Sequence, residues 1–294
     1  MRKNVSFKSN GLNIAGHLYL PEDMKKGEKY PAIVTVTPVS GIKEQTSGLY
    51  AQKMSEKGYV ALAFDNTSYG ESEGQPRFDE NPFAKSEDIK SAVTFLSGLD
   101  EVDPQRIGAI GICAGGGYVA YTAATDKRIK AVGTVSAYFD LRGMVTSGFA
   151  GDWVSLLKEA GKARIAYASG GEPQYIPMLP EDPTFPGARE GLDYYCTSRG
   201  EHPNWQNKTL LWSYDKMVQY SALDVIHMVS PTPMLIIAGS QAATLEQSKL
   251  AYEHAKEPKE LVIIDGGTHF SLYDQERHFS QAIEKFTKFF KVHL

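Results

Sequence analysis

The sequence predicts an α/β protein, a doubly wound and mostly parallel sheet interrupted by one long insertion. Three observations carry this reading. Short apolar, β-branched runs recur at residues 32–37, 60–64, 107–112, 128–135, 233–238 and 261–265, each of a length suited to a buried strand. Helix-type stretches at 46–57, 86–99 and 245–255 alternate with them over short connections, the order that builds a parallel sheet with crossover helices. From residue 137 to 230 that order stops: helical stretches such as 153–166 are broken by Gly170-Gly171, Pro173, Pro177, Pro180, Pro183 and Pro186, too irregular for further crossover units. The 294 residues therefore divide into a core, residues 1–136 and 231–294, and an inserted helical and irregular lid, residues 137–230.

Composition narrows the function. With 42% hydrophobic and 22% charged residues and a net charge of -4, nothing points to nucleic acid or an acidic membrane surface as a partner. No run approaches the ~20 apolar residues of a membrane span, and no apolar leader segment follows Met1. Only Cys113 and Cys196 are present, too few for a disulfide framework or a Cys-rich metal site. The expectation is a cytoplasmic protein acting on a small molecule, with no cofactor, metal, nucleic acid or membrane partner; assembly into a homo-oligomer is left open.

In chain order, residues 5–8 and 12–20 alternate about Ser9-Asn10-Gly11, the pattern of an opening hairpin. The strand at 32–37 runs into Pro38-Val39-Ser40-Gly41, and the helix after it is closed by Gly58. The strand at 60–64 leads to Asp65 and a polar loop containing Ser72, read as loop-fixing residues at a strand's carboxyl end, where open α/β sheets bind ligands. Asp103-Pro104 turns into the central strand, 107–112.

That strand breaks into Cys113-Ala114-Gly115-Gly116-Gly117-Tyr118. Gly111-x-Cys113-x-Gly115 is the spacing of a nucleophile elbow with Cys in place of Ser. A phosphate loop is the competing reading, but neither Gly-x-Gly-x-x-Gly nor a Gly-Lys-Ser/Thr ending is present. At the start of a helix the thiolate is favoured, so the Cys113 pKa is expected to fall from ~8.5 towards roughly 3.5–7.5. The Ala114 N–H would face an oxyanion, with Val39 or Ser40 supplying the second donor. His269, in a short loop after the last strand, is placed as the general base. His278 and His293 read as solvated, His202 as a substrate-contact candidate in the lid, and Cys196 as a packed thiol. Among the lid's many aromatics, Tyr195 and Trp205 are candidates for the acyl pocket. No His-x-x-x-His with a partnering Glu suggests a metal.

With the elbow, the loop Gly41-Ile42-Lys43-Glu44-Gln45, the segment Tyr69-Gly70-Glu71-Ser72 and Thr268-His269 in view, the chain resembles the α/β-hydrolase superfamily. More narrowly it resembles the dienelactone-hydrolase-like group that includes fungal polyketide transferases. The resemblance implies the α/β-hydrolase fold, Cys113 as nucleophile, His269 as base, and Glu44 and Tyr69 near substrate. It also implies an acid after the strand ending near Ala238, where this chain has Ala243. Glu246, Asp265, Asp274 and Asp224 are the substitutes in sequence. The expected activity is an acyl-cysteine hydrolase acting on an ester, lactone or thioester. The alternatives are an acyltransferase using the same residues, and a non-catalytic ligand-binding protein lacking the triad acid.

Overall fold

The computed structural model describes residues 1–149, 152–183 and 186–294, and the side chains of all these except 147–149 and 186. An eight-stranded sheet forms the centre. It contains β1 (Arg2–Ser9), β2 (Leu12–Tyr19), β3 (Tyr30–Val36), β4 (Val60–Phe64), β5 (Val102–Ile112), β6 (Ile129–Val135), β9 (Met234–Gly239) and β10 (Lys259–Ile264). The order across it is β1-β2-β4-β3-β5-β6-β9-β10. The opening hairpin pairs antiparallel, Ser9 with Leu12 at its turn, and β2 meets β4 antiparallel; all later pairs are parallel. β5 lies between β3 and β6, so its carboxyl end opens at the middle of the sheet. β5 begins at Val102, so Asp103-Pro104 belongs to its irregular start rather than to a separate turn.

Helices α1 (Thr46–Ser55), α2 (Pro82–Ser97), α3 (Ala114–Thr125), α8 (Leu245–His254) and α10 (Glu276–His293) cover the sheet. α2 starts four residues earlier than its apolar pattern suggests, because Asn81 caps it through Phe83 and Ala84 N–H and Pro82 occupies the first turn. α10 buries Phe279, Ala282, Ile283, Phe286, Phe289 and Phe290, an i, i+3, i+4, i+7 stripe that packs on the core. One main hydrophobic cluster unites both faces of the sheet.

Between β6 and β9 lie α4 (Leu141–Gly143), a π-helical turn over Met144–Phe149, α5 (Trp153–Ala168), the two-residue strands β7 (Tyr175–Ile176) and β8 (Thr209–Leu210), α6 (Pro186–Tyr195) and α7 (Ser213–Met217). β7 and β8 pair with each other in a separate two-stranded sheet. α5 buries only Ala160 and Ala163 and has a small cluster of its own with Leu210, Leu211 and Trp212. α9 (Ser271–Asp274) is a single turn that begins two residues after His269.

Candidate active site

Cys113 sits at φ +56° between β5 and α3. Such a backbone costs roughly 1–3 kcal/mol for a residue with a side chain. It is held by three bonds: Cys113 N–H donates to Val135 O at 3.1 Å, and its carbonyl accepts Gly116 N–H at 3.0 Å and Tyr138 N–H at 2.9 Å. The flanking glycines are sterically required. A Cβ on Gly111 would lie 2.2 Å from Gly115 O, and one on Gly115 2.5 Å from Val36 O. Strand and helix can meet this closely only without those atoms.

Three groups able to donate to a thiolate lie next to the sulfur: the Tyr273 hydroxyl and the N–H groups of Ala114 and Val39. Burial nevertheless pushes the thiol pKa up from its ordinary value, and these donors offset the push only in part. This corrects the expected low-pKa thiolate: the helix start is present, but the thiol is buried and no cation among the described residues lines the cavity beside it. Ser40 is also corrected as an oxyanion donor. Its N–H is committed to Glu80 Oε2 at 3.0 Å, leaving Val39 as the residue of that loop whose N–H faces the sulfur. Glu80 is fully buried, and its Oε1 meets the Tyr118 hydroxyl and Lys85 Nζ, each at 2.5 Å. This buried pair ties the 38–41 loop to α3.

His269 is 5% exposed, with its carbonyl held by Ser136 Oγ at 3.0 Å. Nδ1 lies 3.1 Å from Thr244 Oγ1 and Nε2 lies 3.1 Å from the Tyr273 hydroxyl. With no carboxylate among the described residues beside the imidazolium, burial lowers its pKa to about 3. None of the four candidate acids reaches it. Asp274 pairs with Arg199 at 2.6 Å, Asp224 with Arg142 at 2.7 Å and Glu246 with Lys249 at 2.7 Å, while exposed Asp265 accepts from Ser240 at 3.4 Å. Ala243 lies at the cavity wall, and the neighbouring Thr244 hydroxyl takes the place beside Nδ1.

Cys113, Val39, Tyr138, Tyr195, Ala243, His269 and Tyr273 share the wall of a cavity of about 470 Å³ with Met144, Leu156, Leu179, Met217 and other apolar residues. Among the described residues no Lys, Arg, Asp or Glu is in that wall. Trp205 stacks on Tyr195 at 4.8 Å from one layer behind and donates to Ser40 Oγ at 3.3 Å. Glu44 and Tyr69 lie outside the cavity wall. Glu44 is drawn onto Lys43 Nζ at 2.6 Å, and Tyr69 is buried with the Lys85 ammonium 4.5 Å from its ring centre. Glu44, Asp65 and Glu71 bring three carboxylates within 4.8 Å, and Lys43 Nζ already sits on all three at 2.6–2.8 Å. Asp65 also accepts Lys43 and Glu71 N–H, and Ser72 Oγ donates to Asp65 O at 2.7 Å, so both fix loops.

His202 accepts Asn204 N–H and is absent from the cavity wall. Cys196 is exposed rather than packed, because it lies on the outer side of α6's end. His278 is buried, bonded to Ser271 Oγ at 2.9 Å, while His293 is exposed.

Thr244, Tyr273 and Glu80 escaped the sequence reading. Tyr273 had a usable signal, lying four residues after His269, which places both on one side of a helical turn. Thr244 adjoins the empty acid position. Glu80 had none, because Ser40 and Tyr118 are distant in sequence.

A mostly parallel sheet with an elbow after its central strand and a histidine after its last defines an α/β hydrolase. Within that class the chain belongs to the X-Pro dipeptidyl-peptidase (S15) family, whose profile matches residues 10–271. It is similar to the crystal structure of the hypothetical protein PA2218 from Pseudomonas aeruginosa, with 38% identity and a TM-score of 0.93 over 100% of this chain and 94% of that one. It is 28% identical to the polyketide transferase claH of Penicillium crustosum, over 93% of this chain and 92% of the relative. The thiohydrolase aneE of Aspergillus aculeatus is also 28% identical, over 90% of this chain and 84% of its own length.

Proposed function

We propose that this chain is an acyl-cysteine hydrolase of the dienelactone-hydrolase-like type, acting on esters, lactones or thioesters of uncharged, apolar acyl groups. The observation that carries this is the convergence of the Ala114 and Val39 N–H groups on the Cys113 sulfur, in a cavity wall shared with His269. The sulfur attacks the carbonyl, the two N–H groups hold the oxyanion, and His269 takes the proton. Because Cys113 and His269 are both driven towards their neutral forms, the proton leaves during attack rather than before it. Residues 137–230 act as the lid, contributing Met144, Leu156, Leu179, Tyr195 and Met217 to the acyl side. Their lack of charge favours a hydrocarbon or neutral polyketide chain over an acid or an ammonium.

Transfer to a second substrate uses the same residues. The polyketide transferase relative supports that reading and the thiohydrolase relative supports hydrolysis. Incubation with a p-nitrophenyl ester and an N-acetylcysteamine thioester of hexanoate tests the proposal. The expected result is a hexanoyl adduct on Cys113, located by peptide mass spectrometry, and no turnover by Cys113→Ala. Full turnover by that variant refutes the reading, while binding without product marks the chain as a ligand-binding protein. Iodoacetamide labelling of Cys113 is expected to be slower at pH 7 than that of exposed Cys196 and to rise with pH; fast labelling below pH 8 would show a preformed thiolate and contradict the effect of burial.

A further inference from the structure

The Tyr273 hydroxyl stands between nucleophile and base. It lies 3.1 Å from His269 Nε2 and interacts with the Cys113 sulfur and the Tyr195 hydroxyl. His269 has no bond to Cys113 among the described residues; the ring nitrogens meet Thr244 and Tyr273. We infer that Tyr273 is a catalytic residue, its hydroxyl relaying the proton from Cys113 to His269. This rests on the acyl-cysteine reading above.

Valence supports the role. A phenol oxygen carries one proton and two lone pairs, so it can donate to one neighbour while accepting from another. With Nδ1–H donated to Thr244 Oγ1, Nε2 is an acceptor. In that tautomer Tyr273 donates to Nε2 and keeps lone pairs free to accept the thiol proton. As the sulfur attacks, the thiol proton moves to the Tyr273 oxygen and the phenol proton moves to Nε2. An electron pair of the sulfur forms the C–S bond, and the carbonyl π pair moves to oxygen. The phenol ends unchanged, now donating to the sulfur and accepting from the imidazolium. Reversal delivers the proton to the leaving alkoxide or thiolate when the tetrahedral adduct collapses. One hydroxyl thus satisfies both protonation states without either side chain moving far.

Tyr273 is held for this task. Its carbonyl accepts Thr46 Oγ1 at 3.1 Å, the carbonyl of Leu272 accepts the Tyr50 hydroxyl at 2.7 Å, and its ring packs against Tyr194 and Phe270 at 5.0 and 4.8 Å. A tyrosine needed only to fill space would serve equally well as phenylalanine.

The test is the single-turnover acylation of Cys113 by p-nitrophenyl hexanoate, read by stoichiometric p-nitrophenolate release, in wild type, Tyr273→Phe and Cys113→Ala. Tyr273→Phe is expected to lower the acylation rate by about 10²-fold or more, in the range of general acid–base contributions, with the half-saturating ester concentration changed less than threefold. A proton inventory in mixed H₂O and D₂O is expected to be bowed in the wild type, two protons being in flight, and to flatten in the variant. Wild-type acylation by Tyr273→Phe overturns the relay while Cys113→Ala remains inert. Acylation of Cys113→Ala, or none in the wild type, overturns the cysteine reading and the relay with it. If Tyr273→Phe does not fold, 3,5-difluorotyrosine at position 273 keeps the shape and makes the phenol more acidic; an unchanged rate and inventory then refute the relay.

Discussion

His269 offers a prediction whose size follows from its surroundings. Burial lowers its pKa to about 3, against an ordinary 6.5. Above pH 6.5 the ring is neutral in both folded and unfolded chains and contributes no pH dependence. Between 6.5 and about 3 the unfolded chain binds a proton that the folded chain refuses, so stability falls as the pH falls; below about 3 both states are protonated and the slope ends. The full loss is on the order of 5 kcal/mol at ~1.36 kcal/mol per pH unit, and about 2 kcal/mol of it falls between pH 7 and pH 5. For 294 residues at ~2.1 cal/mol/K each, the unfolding entropy is about 0.6 kcal/mol/K, so 2 kcal/mol is about 3 °C in Tm. Asp65 and Asp88, both raised by burial, have the opposite sign over the acid range. They cancel when wild type is compared with His269→Asn, which cannot titrate. Thermal melts of both proteins from pH 8 to pH 4.5 should therefore diverge below pH 6.5, the wild type losing about 3 °C more by pH 5. Parallel curves would refute a buried neutral His269.

Two other substitutions test the supports of the site. Thr244→Val leaves Nδ1 unpaired in a buried position, a cost of ~1–3 kcal/mol, so the rate of Cys113 acylation should fall about 10- to 100-fold and recover in Thr244→Ser; an unimpaired Val variant would remove Thr244 from the machinery. Glu80→Gln strands the buried Lys85 ammonium and loosens Ser40, so denaturant titration should show a loss of ~3–5 kcal/mol, typical of a broken buried pair, together with slower acylation. A loss below ~1 kcal/mol would mean that water or another group already serves Lys85.

Much of the site was legible locally. Gly111, Cys113 and Gly115 announce the elbow because the turn tolerates no Cβ on either side, and those atoms belong to residues only four apart or to the adjoining strand. His269 was legible from its place after the final strand. The parallel sheet was legible because a strand buried on both faces must be apolar throughout. The state of those residues was not legible. Whether Cys113 is a thiolate depends on how completely the segment from 137 to 230 closes over it. The partner of Nδ1 depends on which side chain of the 240–246 loop turns inward: Thr244 does, while Glu246 turns out to Lys249. Ser40 looked as available as Val39 until Glu80, forty residues later, claimed its N–H. The sequence by itself determined the fold class, the turn at Cys113 and the loop of His269, since local sterics and hydrophobic period act over a few residues. Only the tertiary structure decided which forms of Cys113 and His269 burial favours, the neutral hydroxyl of Thr244 beside Nδ1 and the tyrosine beside Nε2, because desolvation and hydrogen-bond geometry depend on groups that meet only after the chain has folded.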